Sequence, residues 1–229
     1  MSRYYSQMVQ RVKGTRSYHS PRRVEQAAAT REHILRTARV VLESEGYATT
    51  SVAAIAAAAE VSSKTLYLAF STKSGLLRSL WDLALGGEDD QKPVTAREWY
   101  REMADELDPE RRLRLNARNS RTVKERAGGM LRVISDAAQV DPDARELWQL
   151  IQTEFHDNQA TVVQLLHDQG GLRPGLEVHR ASDILWTLNH PDLWRLLVLD
   201  RGWTPAAYED WTADTACAQL LATASKSSC

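Results

Sequence analysis

Small hydroxyl-bearing and basic side chains are concentrated between residues 62 and 67. Ser62, Ser63 and Thr65 carry hydroxyls, Lys64 carries a positive charge, and Tyr67 ends in a phenol. Groups of this kind donate hydrogen bonds to phosphate oxygens and to the acceptors on base edges. The chemistry that this run favours is therefore recognition of a nucleic acid.

Two short helices joined by a tight turn would hold these side chains in place. Hydroxyls at residues 49–51 can cap the first helix, and Ser62 can cap the second. Leu66 and Phe70 form the inner face of the second helix, so the polar residues around them point outward. The inner face of the first helix consists of small or branched apolar residues, namely Val52, Ile55, Ala56 and Ala59. This helix–turn–helix arrangement is the geometry that places side chains in the major groove of DNA.

Helices are also predicted on both sides of this pair. An apolar stripe at helical spacing is followed by Gly46, which favours a helix that stops near Glu45. Ser20 and Pro21 can open a helix further upstream. After a second capping segment at residues 71–74, a fourth helix is predicted to run to Gly86-Gly87. Its inner face contains Leu76, Leu77, Leu80 and Trp81.

The same stretch resembles the N-terminal domain of TetR-type transcriptional regulators. The resemblance covers residues 31–81 and rests on Gly46-Tyr47-Ala48-Thr49-Thr50-Ser51-Val52, Ile55-Ala56, Val61-Ser62, Thr65-Leu66-Tyr67, Phe70, Thr72-Lys73 and Leu76-Leu77. A later stretch, Leu172-Arg173-Pro174-Gly175 through Asp183-Ile184-Leu185-Trp186 to Tyr208 and Trp211, is similar to a C-terminal domain of one branch of that family. The resemblance implies an all-α protein. A three-helix, helix-turn-helix DNA-binding domain would precede a larger helical C-terminal domain for dimerisation and ligand binding.

Six residues are predicted to contact the DNA backbone: Thr50, Ser51, Ser62, Ser63, Tyr67 and Lys73. The two serines that open the second helix would bring backbone N–H groups and the positive end of the helix dipole to a phosphate. Tyr67 and Lys73 would bind further phosphates, as the matching positions do in the family. Reading of bases is assigned to Ser63, Lys64 and Thr65, with Lys64 on guanine and Thr65 on a thymine methyl. Alternatively, Ser62 is only a helix cap and Lys64 only a solvated lysine.

Two positions depart from the family pattern. Residue 60, usually glycine in the turn, is Glu, which costs about 1 kcal/mol if the backbone there is left-handed. Lys64 stands where the family often has a small residue, so it adds a possible contact. Neither departure removes the motif.

The charge of the chain is divided unevenly. Residues 1–78 carry twelve Lys and Arg against five Glu, or +7, whereas the remaining residues carry 17 against 25, or −8. We expect a basic flexible arm at residues 1–22, the DNA-binding domain at 23–81, and the ligand-binding and dimerisation domain at 82–229. The charge is +6 from Arg3 to Arg31. Such an arm can enter the minor groove or bind phosphates; a solvated tail is the alternative.

The C-terminal part shows helical patterns between turn signals and no strand of useful length. The resemblance implies a small-molecule pocket, which apolar and aromatic residues with a few polar groups would line. The candidates are Trp99, Met103, Met130, Trp148, Ile151, Phe155, His156 and Asn189. It also implies a homodimer joined by a four-helix interface. The candidates are Ile184, Trp186, Leu188, Trp194, Leu197, Tyr208 and Trp211; packing within one subunit is the alternative interpretation.

Other classes of protein are disfavoured. No glycine-rich phosphate loop or nucleophile motif is present, so we expect no enzyme and no cofactor. His156 and His167 lie three helical turns apart, but ordinary structural histidines explain them better than a metal site. The longest apolar run is residues 52–59, no signal peptide is evident, and there are two cysteines. These features predict a cytoplasmic protein.

We therefore expect a sequence-specific DNA-binding regulator. In the preferred interpretation it is a ligand-responsive homodimeric repressor, which a small molecule releases from a palindromic operator. A DNA-binding regulator or architectural protein without an effector is the alternative.

Overall fold

The computed structural model describes residues 21–86 and 94–222, and helices dominate both ranges. In chain order they are α1 (Pro21–Glu45), α2 (Val52–Ala58), α3 (Ser63–Phe70), α4 (Lys73–Gly86), α5 (Glu98–Asp105), α6 (Pro109–Ala137), α7 (Pro142–Asp168), α8 (Val178–Leu188), α9 (Pro191–Trp194) and α10 (Pro205–Leu220). A 3₁₀ turn spans Val94–Ala96, and a π-helical segment spans Arg195–Asp200. Over these residues there is no strand, only an isolated antiparallel bridge between Leu172 and Leu221. The all-α prediction is confirmed.

The first four helices begin and end where the local sequence predicts. Helix α1 starts at Pro21 and is followed by Gly46, whose φ of +83° is readily adopted only by a residue without a Cβ. Ser51 caps α2 by accepting a hydrogen bond from the Ala54 N–H, and Ser62 caps α3 by accepting one from the Thr65 N–H. Short-range hydrogen bonding thus fixes the ends of α2 and α3.

Helix α4 starts very close to the end of α3. Thr72 accepts a hydrogen bond from the N–H of Gly75, and a Cβ at Gly75 would lie 2.3 Å from the carbonyl oxygen of Phe70. Glycine is therefore required at this crossing, because any side chain would push the two helices apart.

One apolar core joins the N-terminal helices to the C-terminal part of the chain. It contains inner-face residues of α1–α4, such as Ile34, Ile55, Leu66 and Leu77, together with residues 127–137 of α6 and 144–151 of α7. A second core joins α5, the first turns of α6, the end of α7, α8 and α10. The proposed boundary between residues 81 and 82 remains a prediction, and the first core crosses it.

A single buried arginine organises the start of α6. Arg112 is fully buried, and its guanidinium donates to the carbonyls of Met103, Ala104 and Glu106 and to the side-chain oxygen of Gln169. Burial lowers the pKa of this guanidinium, although the nearby Glu106 opposes the shift. Arg112 therefore satisfies the carbonyls at the end of α5, which have no partner within that helix.

The arm at residues 1–22 lies outside the described residues except for Pro21 and Arg22, which belong to α1.

Within residues 21–86 and 94–222 no single helix is long and apolar enough to cross a membrane. The pair α2 and α3 meets that test of length and composition only when the two are taken together, and they are bent by 106°.

Polar contacts fasten the loop after α1 to the start of α7. The Tyr47 hydroxyl donates to Asp141 Oδ2 over 2.5 Å, and Asp141 Oδ1 accepts from the N–H groups of Asp143 and Ala144. The hydrogen bond from Tyr47 is the main reason that the pKa of Asp141 is lowered, while burial and Asp141 raise the pKa of Tyr47. Ser74, in the first turn of α4, also donates to Asp143.

The hydrogen bond between Tyr47 and Asp141 should contribute measurably to stability. We expect Tyr47→Phe to lower the free energy of unfolding by about 1–3 kcal/mol at neutral pH, as is typical for a hydrogen bond to a charged group. Because the folded state lowers the pKa of Asp141, this contribution is present above about pH 4 and is lost as the pH falls through the folded value. Urea unfolding at several pH values measures it. Tyr67→Phe, at an exposed phenol, is the matched control; an equal loss there would contradict the assignment.

Candidate functional site

Helices α2 and α3 form a helix-turn-helix. Residues 59–62 connect them, and the bend between them is 106°, within the range of about 90–120° that is typical of this motif. Leu66 and Phe70 face the first core, as predicted. The opposite side of α3 is uncovered in this chain, so its outer residues are available to a partner.

The outer side of α3 carries the predicted polar residues. Lys64 is exposed and forms no ion pair with a described residue, and Tyr67 is 50% exposed. Ser63 and Thr65 are half-buried, and the Thr65 hydroxyl lies 2.8 Å from the hydroxyl of Ser62. The first turn of α3 therefore presents one free ammonium, one phenol and three hydroxyls on a single rigid helix.

Two residues that were assigned to the DNA backbone are placed differently. Thr50 is 2% exposed, and its hydroxyl donates to the carbonyl of Gly46 over 2.7 Å, so it braces the turn after α1 instead of facing outward. The Lys73 ammonium donates to the Tyr47 carbonyl and lies 3.7 Å from the centre of the Tyr47 ring. Burial lowers its pKa, with Asp141 opposing. Thr50 is therefore corrected to a structural role. Lys73 is only half-buried, so its contact with a phosphate stays a prediction, as does that of the exposed Ser51.

The turn before α3 is strained. Glu60 has a φ of 54°, in the left-handed region where a non-glycine residue costs about 1–2 kcal/mol. Its side chain is exposed on the same turn that leads into α3. Glu60, in place of the glycine usual in the family, thus lowers the stability of the turn without preventing it from forming. Its carboxylate also places a negative charge beside the outer side of α3.

Arg31 is a supporting residue that the sequence reasoning missed. Its guanidinium lies 4.2 Å from the centre of the Phe70 ring and donates to the carbonyl of Ala69 and to the hydroxyl of Ser79. One arginine of α1 therefore holds the C-terminal end of α3 against α4. The stacking on Phe70 is not visible in local spacing, because the two residues are 39 positions apart.

A cavity of about 140 Å³ lies between α4, α5, α6 and α7. Most of its wall is apolar and aromatic, with Trp81 and Leu85 from α4, Trp99 and Met103 from α5, and Phe155 from α7. Cavities that take small organic ligands are lined mainly by such residues together with a few polar groups. Helix α4 is therefore both a neighbour of α3 and a wall of the cavity.

The predicted pocket residues divide into two groups. Trp99, Met103, Ile151, Phe155 and Asn189 line the cavity.

Three others do not line it, and the expectation for them is corrected. Met130 is buried in the first core, Trp148 packs against that core, and His156 instead lies 3.1 Å from Asp183 on α8. No group of three His, Cys, Asp or Glu that could hold a metal ion occurs in the part of the chain described.

Sequence reasoning also missed the polar part of the cavity wall. Asn116, Ser120 and Lys124 follow one another at i, i+4 spacing along α6, on the face that also carries Leu113 and Ala127. That spacing was the available signal, since it places a lysine on an apolar face. Lys124 is 5% exposed, and burial lowers its pKa to about 7.

The predicted dimer residues divide similarly. Leu188, Trp194 and Tyr208 are buried inside one subunit, where the Tyr208 hydroxyl donates to the carbonyl of Leu188 and its ring meets Trp194 edge to face. These three are corrected to core residues. The other four candidates are only partly buried, namely Ile184, Trp186, Leu197 and Trp211.

Comparisons with known proteins agree with this arrangement. Residues 34–80 match the model of the bacterial regulatory proteins of the tetR family. The matched residues run from α1 to α4 and contain the helix-turn-helix. Among solved structures, 81 chains match. A comparison with curated protein sequences finds no match.

Three of the similar structures each cover more than four fifths of this chain. NalD of Pseudomonas aeruginosa, the secondary repressor of the MexAB-OprM multidrug efflux pump, is 22% identical, with a TM-score of 0.64 over 86% of this chain and 98% of NalD. FadR of Bacillus subtilis, in complex with stearoyl-CoA, is 17% identical, with a TM-score of 0.65 over 81% and 97%. SmeT, in complex with triclosan, is 20% identical, with a TM-score of 0.61 over 84% and 92%. At these identities the likeness concerns the fold.

Contacts at both ends of α4 connect the cavity with the surroundings of α3. At its start, Lys73 and Ser74 bind the loop after α1 and the first turn of α7. At its end, Arg126 of α6 donates to the carbonyls of Ala84 and Leu85, and Arg39 of α1 in turn donates to the carbonyl of Arg126. Any change in the cavity that moves α4 must therefore alter contacts beside the helix-turn-helix.

The burial of Lys124 leads to a prediction of how the stability of the fold depends on pH. Because its folded pKa of about 7 lies below the ordinary value of 10.5, the unfolded chain binds more protons between these pH values. Stability should rise with pH across this range. Lys124→Met should lose this part of the slope and gain about 1 kcal/mol or more at pH 7.

Thermal and urea unfolding from pH 6 to 10 test the prediction, with Arg101→Ala, at an exposed cation of α5, as control. The groups near Lys124 are Ser120 on α6, His190 before α9 and Tyr208 on α10. A slope that persists in Lys124→Met would assign the titration to one of these neighbours.

Proposed function

We propose that this chain is a homodimeric transcriptional regulator, and specifically a repressor that a small molecule releases from a palindromic operator. The observation that supports this most directly is the uncovered outer side of α3. A free ammonium, a phenol and hydroxyls on a helix set at 106° to its neighbour fit the major groove. In the dimer, the two α3 helices would lie about 34 Å apart, or a multiple of it, to enter successive grooves.

Individual residues have distinct tasks in this proposal. Ser51, Ser62, Ser63 and Tyr67 hold phosphates and set the register of α3 on the duplex. Lys64 and Thr65, with Ser63, reach base edges. A cation that neutralises one phosphate releases a counterion, so Lys64 also contributes to the salt dependence of binding.

Ligand control would act through α4. A small molecule in the cavity contacts Trp81 and Leu85 directly, and the start of the same helix holds the loop after α1. A ligand that binds better to a conformation with wrongly spaced α3 helices lowers the affinity for DNA, and DNA lowers the affinity for the ligand by the same factor. A purely architectural DNA-binding protein needs no such cavity, so the cavity favours the ligand-responsive form.

The dimer surface would involve α8, α10 and the segment between α9 and α10. Leu196, Leu199 and Trp203 are exposed there, and Trp203 meets Trp211 edge to face at 6.0 Å. Three large apolar side chains close together in one segment mark a surface that is suited to a partner. We assign it to the partner subunit, together with Ile184, Trp186 and Leu197.

The DNA-binding proposal predicts different effects for two substitutions. Lys64→Ala should change the preferred base sequence by about 1–3 kcal/mol at one position and reduce the salt slope by about 1. Tyr67→Phe should weaken binding to all sequences alike, by about 1 kcal/mol, because it removes one hydrogen bond to a phosphate. Fluorescence anisotropy titrations over a salt series, on DNA footprinted upstream of the protein's own gene, measure both effects.

Arg101→Ala is the control for this experiment, because it removes one exposed charge on α5, away from α3. Affinity and salt slope should stay unchanged in that variant. Full retention of binding by both α3 variants would reject α3 as the recognition helix.

The dimer proposal predicts that a charge at Leu199 separates the subunits. Leu199→Glu should shift the dimer–monomer equilibrium by tenfold or more, since burying an unpaired carboxylate costs more than about 1.4 kcal/mol. Analytical ultracentrifugation over a concentration series measures the constant. Leu107→Glu, at another exposed leucine, between α5 and α6, is the control. If Leu199→Glu leaves the dimer intact, its surface is not the interface.

A further inference from the structure

The cavity wall contains polar atoms that the protein itself leaves without partners. Asn189 is fully buried, and its amide nitrogen donates to the Leu185 carbonyl while its oxygen, Oδ1, has no partner. Gln152 has the converse arrangement, because its oxygen lies 3.1 Å from His190 Nε2 and its buried nitrogen has no partner. Buried polar groups without hydrogen bonds are costly and call for an explanation.

Lys124 is a third polar group of this wall, and only part of its hydrogen-bonding capacity is used. Its ammonium contacts the Ser120 hydroxyl and lies 5.5 Å from the centre of the Tyr208 ring. Over residues 21–86 and 94–222 no carboxylate lies within ion-pair distance of it, and burial is the cause of its lowered pKa. A buried lysine without a carboxylate partner is unusual, because buried charged side chains are normally paired.

These groups lie at one part of the wall. His190, which binds Gln152, has its pKa lowered by burial and also by the charge of Lys124, with Asp192 opposing. Lys124, Gln152 and Asn189 all line the cavity, as do Trp99 and Phe155. One part of the wall thus offers two donors, on Lys124 and Gln152, and one acceptor, Asn189 Oδ1. Most of the remaining wall is apolar and aromatic, and Glu154, an exposed residue, supplies the one carboxylate among the described lining residues.

The chemistry of this wall selects the ligand. The Lys124 ammonium and the Gln152 amide are donors, so they match the two acceptor oxygens of a carboxylate. A cationic ligand would face Lys124 across a desolvated space and be repelled. An apolar cavity of about 150 Å³ can hold one benzene ring, so about 140 Å³ suits a compact aromatic or branched body.

We propose that the cavity takes a small apolar carboxylic acid as its anion, with the carboxylate on Lys124 and Gln152 and the ring or alkyl body against Trp99 and Phe155. The inference rests on the proposed ligand-responsive function and specifies the chemical class of the effector. Asn189 Oδ1 would accept a hydrogen bond from a hydroxyl or N–H on the body of the acid.

A matched probe series tests this on the full-length protein. The probes are 3-phenylpropanoate, 3-phenylpropanamide and 3-phenylpropylamine, which share one body and differ in charge. Isothermal titration calorimetry at pH 6, where Lys124 with its pKa of about 7 is mostly charged, should give the acid an affinity about 10- to 100-fold higher than the amide, as a charge-assisted contact provides, and no binding of the amine. Lys124→Met should bring the acid down to the affinity of the amide and leave the amide unchanged.

Two controls keep the outcome clear. Arg101→Ala removes an exposed cation outside the cavity wall, so the preference for the acid should persist in it. If Lys124→Met does not fold, the comparison of the three probes on the unsubstituted chain decides alone. Equal affinity for acid and amide, a preference for the acid that survives Lys124→Met, or no binding of the acid at millimolar concentration overturns the inference.

A separate readout distinguishes this inference from the proposed function. Release of DNA by each probe is followed by fluorescence anisotropy. If the acid binds at Lys124 but DNA affinity is unchanged, the inference stands and the proposal of ligand release fails. If a neutral molecule releases DNA and the acid does not bind, the regulator stands and the carboxylate inference fails.

Discussion

Helix α4 is the constraint on which the rest of the structure depends, because one rigid element serves two sites. Its fourteen residues span about 20 Å, from the Lys73 contact with Tyr47 to the carbonyls of Ala84 and Leu85 that Arg126 binds. A helix does not bend easily without a proline or a break in its hydrogen bonds. A displacement of the cavity end of α4 is therefore transmitted to the helix-turn-helix as a tilt of the whole helix.

The cavity end of α4 is built at a cost to stability. Lys124 and two unpartnered amide groups are withheld from water without full compensation, and each such group lowers stability by about 1–3 kcal/mol. Strain at Glu60 adds a similar cost beside α3. These costs lie at or beside the two proposed sites, where departures from optimal packing are expected in functional proteins.

The sequence predicted the local features of the fold well. The caps Ser51 and Ser62 and the inner faces of α2 and α3 follow from residue type and short spacing, because their partners lie within four positions. Thr50 was misassigned although its partner, the Gly46 carbonyl, is only four positions away, because residue type does not separate the buried hydroxyl of Thr50 from the exposed one of Ser51. The partner of Lys73, the Tyr47 carbonyl, is 26 positions away, and the sequence around Lys73 does not indicate this contact.

The cavity shows the same limit more clearly. Aromatic residues such as Trp99 and Phe155 could be chosen by type, but Met130 and Trp148 have the same type and belong to the first core. What separates them is the packing of α6 and α7, a tertiary property. Lys124 could have been found from its place on an apolar face, since a charged residue at a core position indicates either a partner or a ligand.

Helix α6 provides the shortest physical route between ligand and DNA in the proposed mechanism. Residues 124 and 126 are two positions apart, so their side chains leave the helix about 200° apart. Lys124 therefore points into the cavity while Arg126 reaches the end of α4 on another side of the same helix. In this mechanism, a carboxylate that binds Lys124 would displace the part of α6 that carries Arg126. The hydrogen bond from Arg39 to the Arg126 carbonyl links that part of α6 to α1. The ligand can bias DNA binding only if these contacts differ between two conformations, and the arginines at 39 and 126 are the ones positioned to change.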